Sequence, residues 1–186
     1  MAENTAEIIN GKDYLSFFRR YADRTKNDAA AIRFMTEVTV KLEKETDSTS
    51  TVDGNVSSVS DGDNTLDVKS IAYRTKDTEV IEMWKQMREW FLNEEVVEVW
   101  NVDIKSGKEN DSTHKTEYLV DYFQGKFTEF EMKSAADGKV ELSYSYAIDG
   151  RGIWNHKDAL TDEQELAVKA AQYAYPHLLK KMQSNS

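Results

Sequence analysis

The sequence predicts a mainly β, α+β protein: an antiparallel β-sandwich or meander with one flanking helix, a long β-hairpin carrying an extended loop, and a carboxyl-terminal helix. Three observations predict it. Runs of alternating apolar and polar residues recur along the chain with turn residues between them. One stretch, 75–93, instead spaces its apolar residues three and four apart. A Thr-x-x-Gln sequence opens a second helical stretch near the end. At 186 residues the chain is expected to form one domain over 1–186, embellished by a loop at 46–65 and a helical extension over about 160–186.

The elements follow in order. From Asp13 to Tyr21, Leu15 and Phe17 fall on one face and Tyr14 and Phe18 on the other, a window that favours a strand and also admits a helix. From Phe34 to Leu42 the alternation is cleaner. Phe34, Thr36, Val38, Val40 and Leu42 point one way, and Glu37, Thr39, Lys41 and Glu43 the other. LDVKSIAYR repeats the pattern, with Leu66 and Val68 opposed by Asp67 and Lys69, so the two runs are expected to pair as an extended hairpin. Val80, Trp84, Met87 and Phe91 then mark an amphipathic helix with Asp77 or Thr78 as its N-cap, and this Met and Trp stripe is its core-facing side.

Strand signals return with VVEVWNVDI, a turn at SGKEN, and TEYLVDYFQGKFTEFEM with a bulge expected at Gly125. After SAADGK, the residues Val140, Leu142, Tyr144, Tyr146 and Ile148 share one face of a further strand. The last element is expected from Leu160, with Thr161 and Gln164 as a capping box and Pro176, the one proline, ending or kinking the helix before a frayed tail.

Between Thr46 and Thr65 lies TDSTSTVDGNVSSVSDGDNT, without a lysine or arginine. Its three valines, Val52, Val56 and Val59, would contribute about 1.5 kcal/mol each if buried, whereas fixing this many backbone residues costs about 1 kcal/mol or more apiece. The segment is therefore expected to be mobile alone or ordered by another surface.

Composition narrows the function. The hydrophobic share is 39%, the charged share 31% and the aromatic share 11%, which describes a folded chain with a polar exterior. A net charge of −10 and a pI of 4.9 disfavour tight binding to nucleic acid or to an anionic membrane. With no cysteine there are no disulfides, thiolate metal sites or cysteine nucleophiles. No segment approaches bilayer-spanning length, and no membrane partner is expected.

Enzyme chemistry finds little material. His114, His156 and His177 stand far apart, and no nucleophile elbow, phosphate loop or dinucleotide fingerprint occurs. DGDN from Asp61 has the start of a calcium loop, but the ligand ladder breaks at Leu66 and turns use the same residues. Sequons at Asn55 and Asn110 carry no weight without a secretion signal. No enzyme activity, cofactor or metal is expected. The acids from Glu37 to Asp67 fit two readings: a solvated hairpin face, or a surface that meets phosphates without holding them.

Taken together, GKDYLSFFR, KETDSTSTVDGNV, a helix, and YFQGKFTEFEMKSAADGKVELSYSYAIDG resemble the major tail proteins, the tail-tube subunits, of long, non-contractile-tailed bacteriophages. The similarity runs over about Ile9 to Ile153, and a final helix opening with LTDEQ also fits; the second half of the polar segment and the carboxyl end depart from it.

The resemblance implies a structural virion subunit, made in the host cytoplasm, that closes into hexameric rings stacked as a hollow tube. DNA would pass through without tight binding. Its implied partners are further copies of itself and the tail terminator, tape measure and distal tail proteins. Under it, Glu37, Lys41, Glu43, Asp67 and Lys69 would face the lumen, and Thr49, Val52, Asp53, Asn55, Val56, Val59 and Asp61 would contact the next ring. Six copies would bring about −60 of formal charge into one ring, which makes assembly sensitive to ionic strength. The rival reading is a β-sandwich carbohydrate-binding or adhesion module using Trp100, Tyr118, Tyr122 and Trp154 as a sugar platform, against a simple core role for those rings.

Overall fold

The computed structural model describes residues 6–76 and 82–171. Strand β1 (Tyr14–Arg20) confirms the strand reading of the first run and places Phe17 and Phe18 in different apolar clusters, so both of its faces are covered. The short β2 (Ala30–Ala31) shields the outer edge of β1. β3 (Met35–Lys41) pairs with β6 (Thr65–Ile71) in the expected hairpin, with a register shift between Met35 and Glu37.

The polar segment is not an irregular loop. It forms β4 (Lys44–Thr51) and β5 (Gly54–Asp61), a two-stranded ribbon separate from the main sheet. Its backbone groups satisfy one another along the ladder, and threonine and valine meet across it at Thr46 and Val59 and at Thr49 and Val56. At the tip, the Thr51 hydroxyl donates to the Gly54 carbonyl at 2.6 Å, and Gly54 takes a φ of 130° that a side chain would resist.

Helix α1 (Met83–Leu92) starts after Glu82, later than expected; Asp77, Thr78 and Val80 lie outside the described residues. Its buried stripe is Met83, Trp84, Met87 and Trp90, with Phe91 at the margin. β7 (Val97–Glu109) runs through the expected turn at SGKEN. Residues 104–107 form a bulge in the pairing with the next strand, with Ile104 still buried, and the chain reverses at 110–115, where the Asn110 side chain accepts the Ser112 and Thr113 amides.

β8 (Thr116–Lys133) is the spine of the sheet. Its first half pairs with β7 and its second half with β9 (Glu141–Ile148). The bulge expected at Gly125 falls instead at Thr128, between Phe127 and Glu129. Gly125 serves another need, because a Cβ there would lie 1.8 Å from the Ala147 carbonyl oxygen. β10 (Ile153–Ala159) continues beyond β9 along the same side of β8 and has no counterpart in the sequence reading; its residues are mostly exposed, so it lacks alternation.

Helix α2 (Asp162–Ala171) opens with the expected capping box, Thr161 N to Gln164 Oε1 at 2.9 Å and Gln164 N to Thr161 Oγ1 at 3.3 Å. Pro176 and His177 lie outside the described residues.

The main sheet runs β2-β1-β7-β8-β9-β6-β3, antiparallel throughout. Its two halves share one core, in which Phe18, Val97, Val99 and Phe123 meet Leu66, Val68, Leu142, Tyr144 and Tyr146 under α1. A second cluster on the opposite face joins Phe17, Val102, Tyr118 and Val120 to Val168 of α2. Among the described residues no helix is long and apolar enough to cross a membrane.

Candidate assembly surfaces

Three surfaces follow from this architecture. The first is a polar face on the half-sheet β3-β6-β9-β8. Glu37 lies opposite Lys69 and Thr39 opposite Asp67. Asp67 continues to Ser145 and Lys69 to Ser143 on β9, and these to Glu129 and Glu131 on β8. Lys69 pairs with Glu37 at 3.1 Å, Ser145 donates to Asp67 at 2.7 Å, and Lys41 pairs with Glu43. Four of the five expected lumen residues thus share one strand face, and Glu43 joins them from the connection after β3. Exposed pairs of this kind contribute at most about 1 kcal/mol each, so this face is a wet surface and not a buried network. Glu129 and Glu131 belong to it as well; the bulge at Thr128 hides their phase in the sequence.

The second surface is a pair of margins. Among the described residues, nothing pairs along β3 on the side away from β6, and β8 beyond Gly125 has no partner on the side away from β9. Each margin also leaves apolar groups part-covered: Val38 and Val40 on one, Phe130 and Met132 on the other, with Met132 53% exposed. Open edges of this sort invite pairing with another chain.

The third is the β4-β5 arm, exposed along its whole length. Cross-strand partners share a face, so Glu45, Asp47, Thr49 and Val56 lie on one side and Thr46, Ser48, Asn55 and Val59 on the other. The expected anchors Val56 and Val59 therefore point opposite ways, and Val52 stands at the tip with Asp53. Asp61 sits at the root, where Lys44 holds it and Arg151 lies 3.7 Å away; these charges keep its carboxyl below the usual range, led by the Lys44 hydrogen bond.

Asn64 completes the root. Buried, it accepts the Glu43 amide at 2.9 Å through its side-chain oxygen and donates to the Gly150 carbonyl at 2.6 Å. The DGDN stretch thus ends in a hinge clamp, and among the described residues no group of histidines or acids could hold a metal ion.

The aromatic platform of the rival reading does not form. Tyr118 is buried and donates to Glu165 of α2 at 3.1 Å; Trp100 and Tyr122 pack on each other at 5.2 Å, and Trp154 stands edge-on to Phe123. The Tyr122 hydroxyl donates to buried Glu98, which Arg19 pairs at 2.9 Å. These rings brace the body. His114 and His156 stay apart, one in the 110–115 turn and one on β10.

Known proteins match this arrangement. The sequence model of the family described as "Phage tail tube protein" matches residues 8–172. A protein of Staphylococcus phage phiMR25 whose name assigns it to the tail is 26% identical over 147 residues, covering 78% of this chain and 71% of that protein.

Among solved structures, the tail tube of SPP1 superposes with a TM-score of 0.62 at 15% identity, covering 96% of this chain and 95% of that one. The tail of an empty gene transfer agent particle, refined with C6 symmetry, gives 0.56 at 13% identity over 80% of this chain and 100% of that one. The chain belongs to the phage tail tube protein family. It is a structural subunit of the virion tail and not an enzyme.

Proposed function

We propose that this subunit closes into six-membered rings by joining the β3 margin of one copy to the β8 margin of the next, and that the rings stack through the arm. The observation that carries the reading is the direction of the two open margins. β8, β9, β6 and β3 alternate in sense, so the outer two run in opposite directions. A copy related by rotation about an axis along the strands presents its β3 antiparallel to β8, and the ladder continues without a break. Head-to-tail contacts that close by rotation remove every edge. The C6 symmetry of the gene transfer agent tail supports six copies for this fold.

In such a ring the half-sheets form one barrel, with four strands from each copy. The apolar face packs outward under α1, and the polar face carrying Glu37, Lys41, Asp67 and Lys69, with Glu43 beside it, lines an aqueous bore. Its acids repel the phosphate backbone, so DNA slides through without the cation contacts that tight binding needs. The arm, with Thr49, Val52, Asp53, Asn55, Val56 and Val59 exposed and Asp61 at its root, reaches the adjacent ring. An isolated two-stranded ribbon is marginally stable in water, and that neighbour supplies the missing contacts. Tail terminator, tape measure and distal tail proteins are the further partners, met as the subunit passes from the host cytoplasm into the assembling tail.

Replacing residues 48–57 by Asn-Gly keeps the root and shortens the arm. The reading expects a folded subunit that forms no rods; normal rods from this variant overturn the arm's role.

A further inference from the structure

The far end of the half-sheet carries an unexplained aromatic. Phe34 is 62% exposed and holds a φ of 55°, a left-handed conformation that is costly for a bulky residue. Its carbonyl accepts the Ile71 amide at 3.0 Å, and its ring meets Tyr73 edge-on at 5.6 Å. Ala72 in turn donates to Val140. This chain of contacts brings exposed Arg33, Arg74 and Lys139, neighbours of those residues in sequence, to one rim. At this end the described acids are Asp137, Glu141 and Glu82, whose carboxylate accepts the Thr75 amide at 3.0 Å, pairs with Lys85 and feels the Arg74 charge; Lys133 lies 3.8 Å from Glu141.

The arm leaves from the opposite end. β3 runs from Met35 at the Phe34 end to Lys41 at the arm root, and Thr65, Ala147 and Lys126 sit level with Lys41. One side of the arm carries Glu45, Asp47 and Val56 together, with no base. The two ends thus complement each other in charge and in apolar content: an acidic face with a valine, and a basic rim around an exposed phenylalanine. Each arm strand has eight residues, about 26 Å from root to tip, with Glu45 and Asp47 nearer the root and Val56 nearer the tip.

We propose that the Glu45, Asp47 and Val56 face of the arm docks on the Phe34 and Tyr73 patch of a second copy of this chain in the next ring, with Arg33, Arg74 and Lys139 pairing its acids. The inference rests on the tail-tube reading and names the surface that receives the arm. The strained backbone at Phe34 presents the ring to the incoming arm. Because acidic and basic ends differ, stacking has one polarity.

The test uses the full chain and measures thermal unfolding of the subunit, ring formation by electron microscopy, and the critical concentration for pelletable rods. Phe34→Gly relieves the backbone strain, so the subunit unfolds no earlier than wild type while rings persist and the critical concentration rises about tenfold or more. Val56→Ser acts in the same direction, and Val59→Ser on the other face acts less. A paired charge swap is the second arm: Glu45→Lys with Asp47→Lys blocks rods, and Arg33→Glu with Arg74→Glu on the same chain restores them.

Normal rods from Phe34→Gly, an equal effect of the two valines, or no rescue by the swap overturns the docking site. Loss of rings in Phe34→Gly also overturns it, assigning Phe34 to the lateral margin. If the shortened-arm variant forms no rods while Phe34→Gly forms them normally, the docking site alone is wrong. If the shortened arm forms normal rods, the arm's role fails with it.

Discussion

The Asn64 side chain bridges two segments remote in sequence, taking the Glu43 amide at 2.9 Å and giving its own hydrogen to Gly150 at 2.6 Å. The root of the arm is thereby tied to the turn between β9 and β10, so the direction of the arm is set by the body and not by its own weak ladder. Gly62 adds a backbone bond to Glu43 at 2.8 Å.

Asn64→Ala strands the Glu43 amide and the Gly150 carbonyl in a part-buried site. It is expected to lower subunit stability by about 1–3 kcal/mol, read as the midpoint of urea unfolding, and to reduce rod formation by more than that loss explains. A variant that loses stability yet polymerises normally shows that the clamp does not orient the arm.

Trp84 is 8% exposed in the core under α1, and its indole donates to the Tyr73 carbonyl at 2.9 Å. Trp84→Ala is expected to cost about 3–5 kcal/mol, and thermal melting checks it. An unchanged melting temperature contradicts the placement of α1.

Gly125→Ala places a methyl carbon on the Ala147 carbonyl oxygen, at 1.8 Å before relaxation. Overpacking costs about 1–3 kcal/mol and sometimes more; the upper part of that range, or insoluble protein, is expected. Wild-type solubility and melting would show that β8 and β9 part easily at this point.

High pH tests the buried phenols. Burial, with the neighbouring carboxylates Glu165 and Glu98, pushes Tyr118 and Tyr122 up to about 12 from an ordinary value of 10.0, and burial raises Tyr144 and Tyr146 further. From about pH 10 the unfolded chain releases phenolic protons that the folded chain keeps, so the unfolded state binds fewer protons and stability falls as pH rises. This stability is fully present below pH 10 and is lost as pH climbs through about 12. Denaturation midpoints across that window, with phenolate absorbance lagging until unfolding, check the sign. Complete ionisation near pH 10 in folded protein contradicts the burial.

Legibility in the sequence tracked how strongly one face is dry. β9 was plain because Leu142, Tyr144, Tyr146 and Ile148 are all buried while the serines between them are not. The α2 capping box was plain because its two bonds are local. β4, β5 and β10 were hidden for the opposite reason, since strands wet on both faces leave no alternation to read.

Single residues whose meaning depends on a distant partner were hidden as well. Asn64 looked like part of a calcium-like turn until Gly150 arrived beside it, and Phe34 looked like an ordinary apolar strand position until its φ proved left-handed. Glu129 and Glu131 reached the polar face through a bulge that alternation cannot register.

The central claim is that copies of this chain complete one another's edges. Electron microscopy of the purified wild-type protein, concentrated at physiological salt, tests it most directly. The account predicts annuli and rods whose helical reconstruction joins β3 of one copy to β8 of the next. Monodisperse solitary particles at every concentration, or rods in which those two strands do not meet, would contradict it.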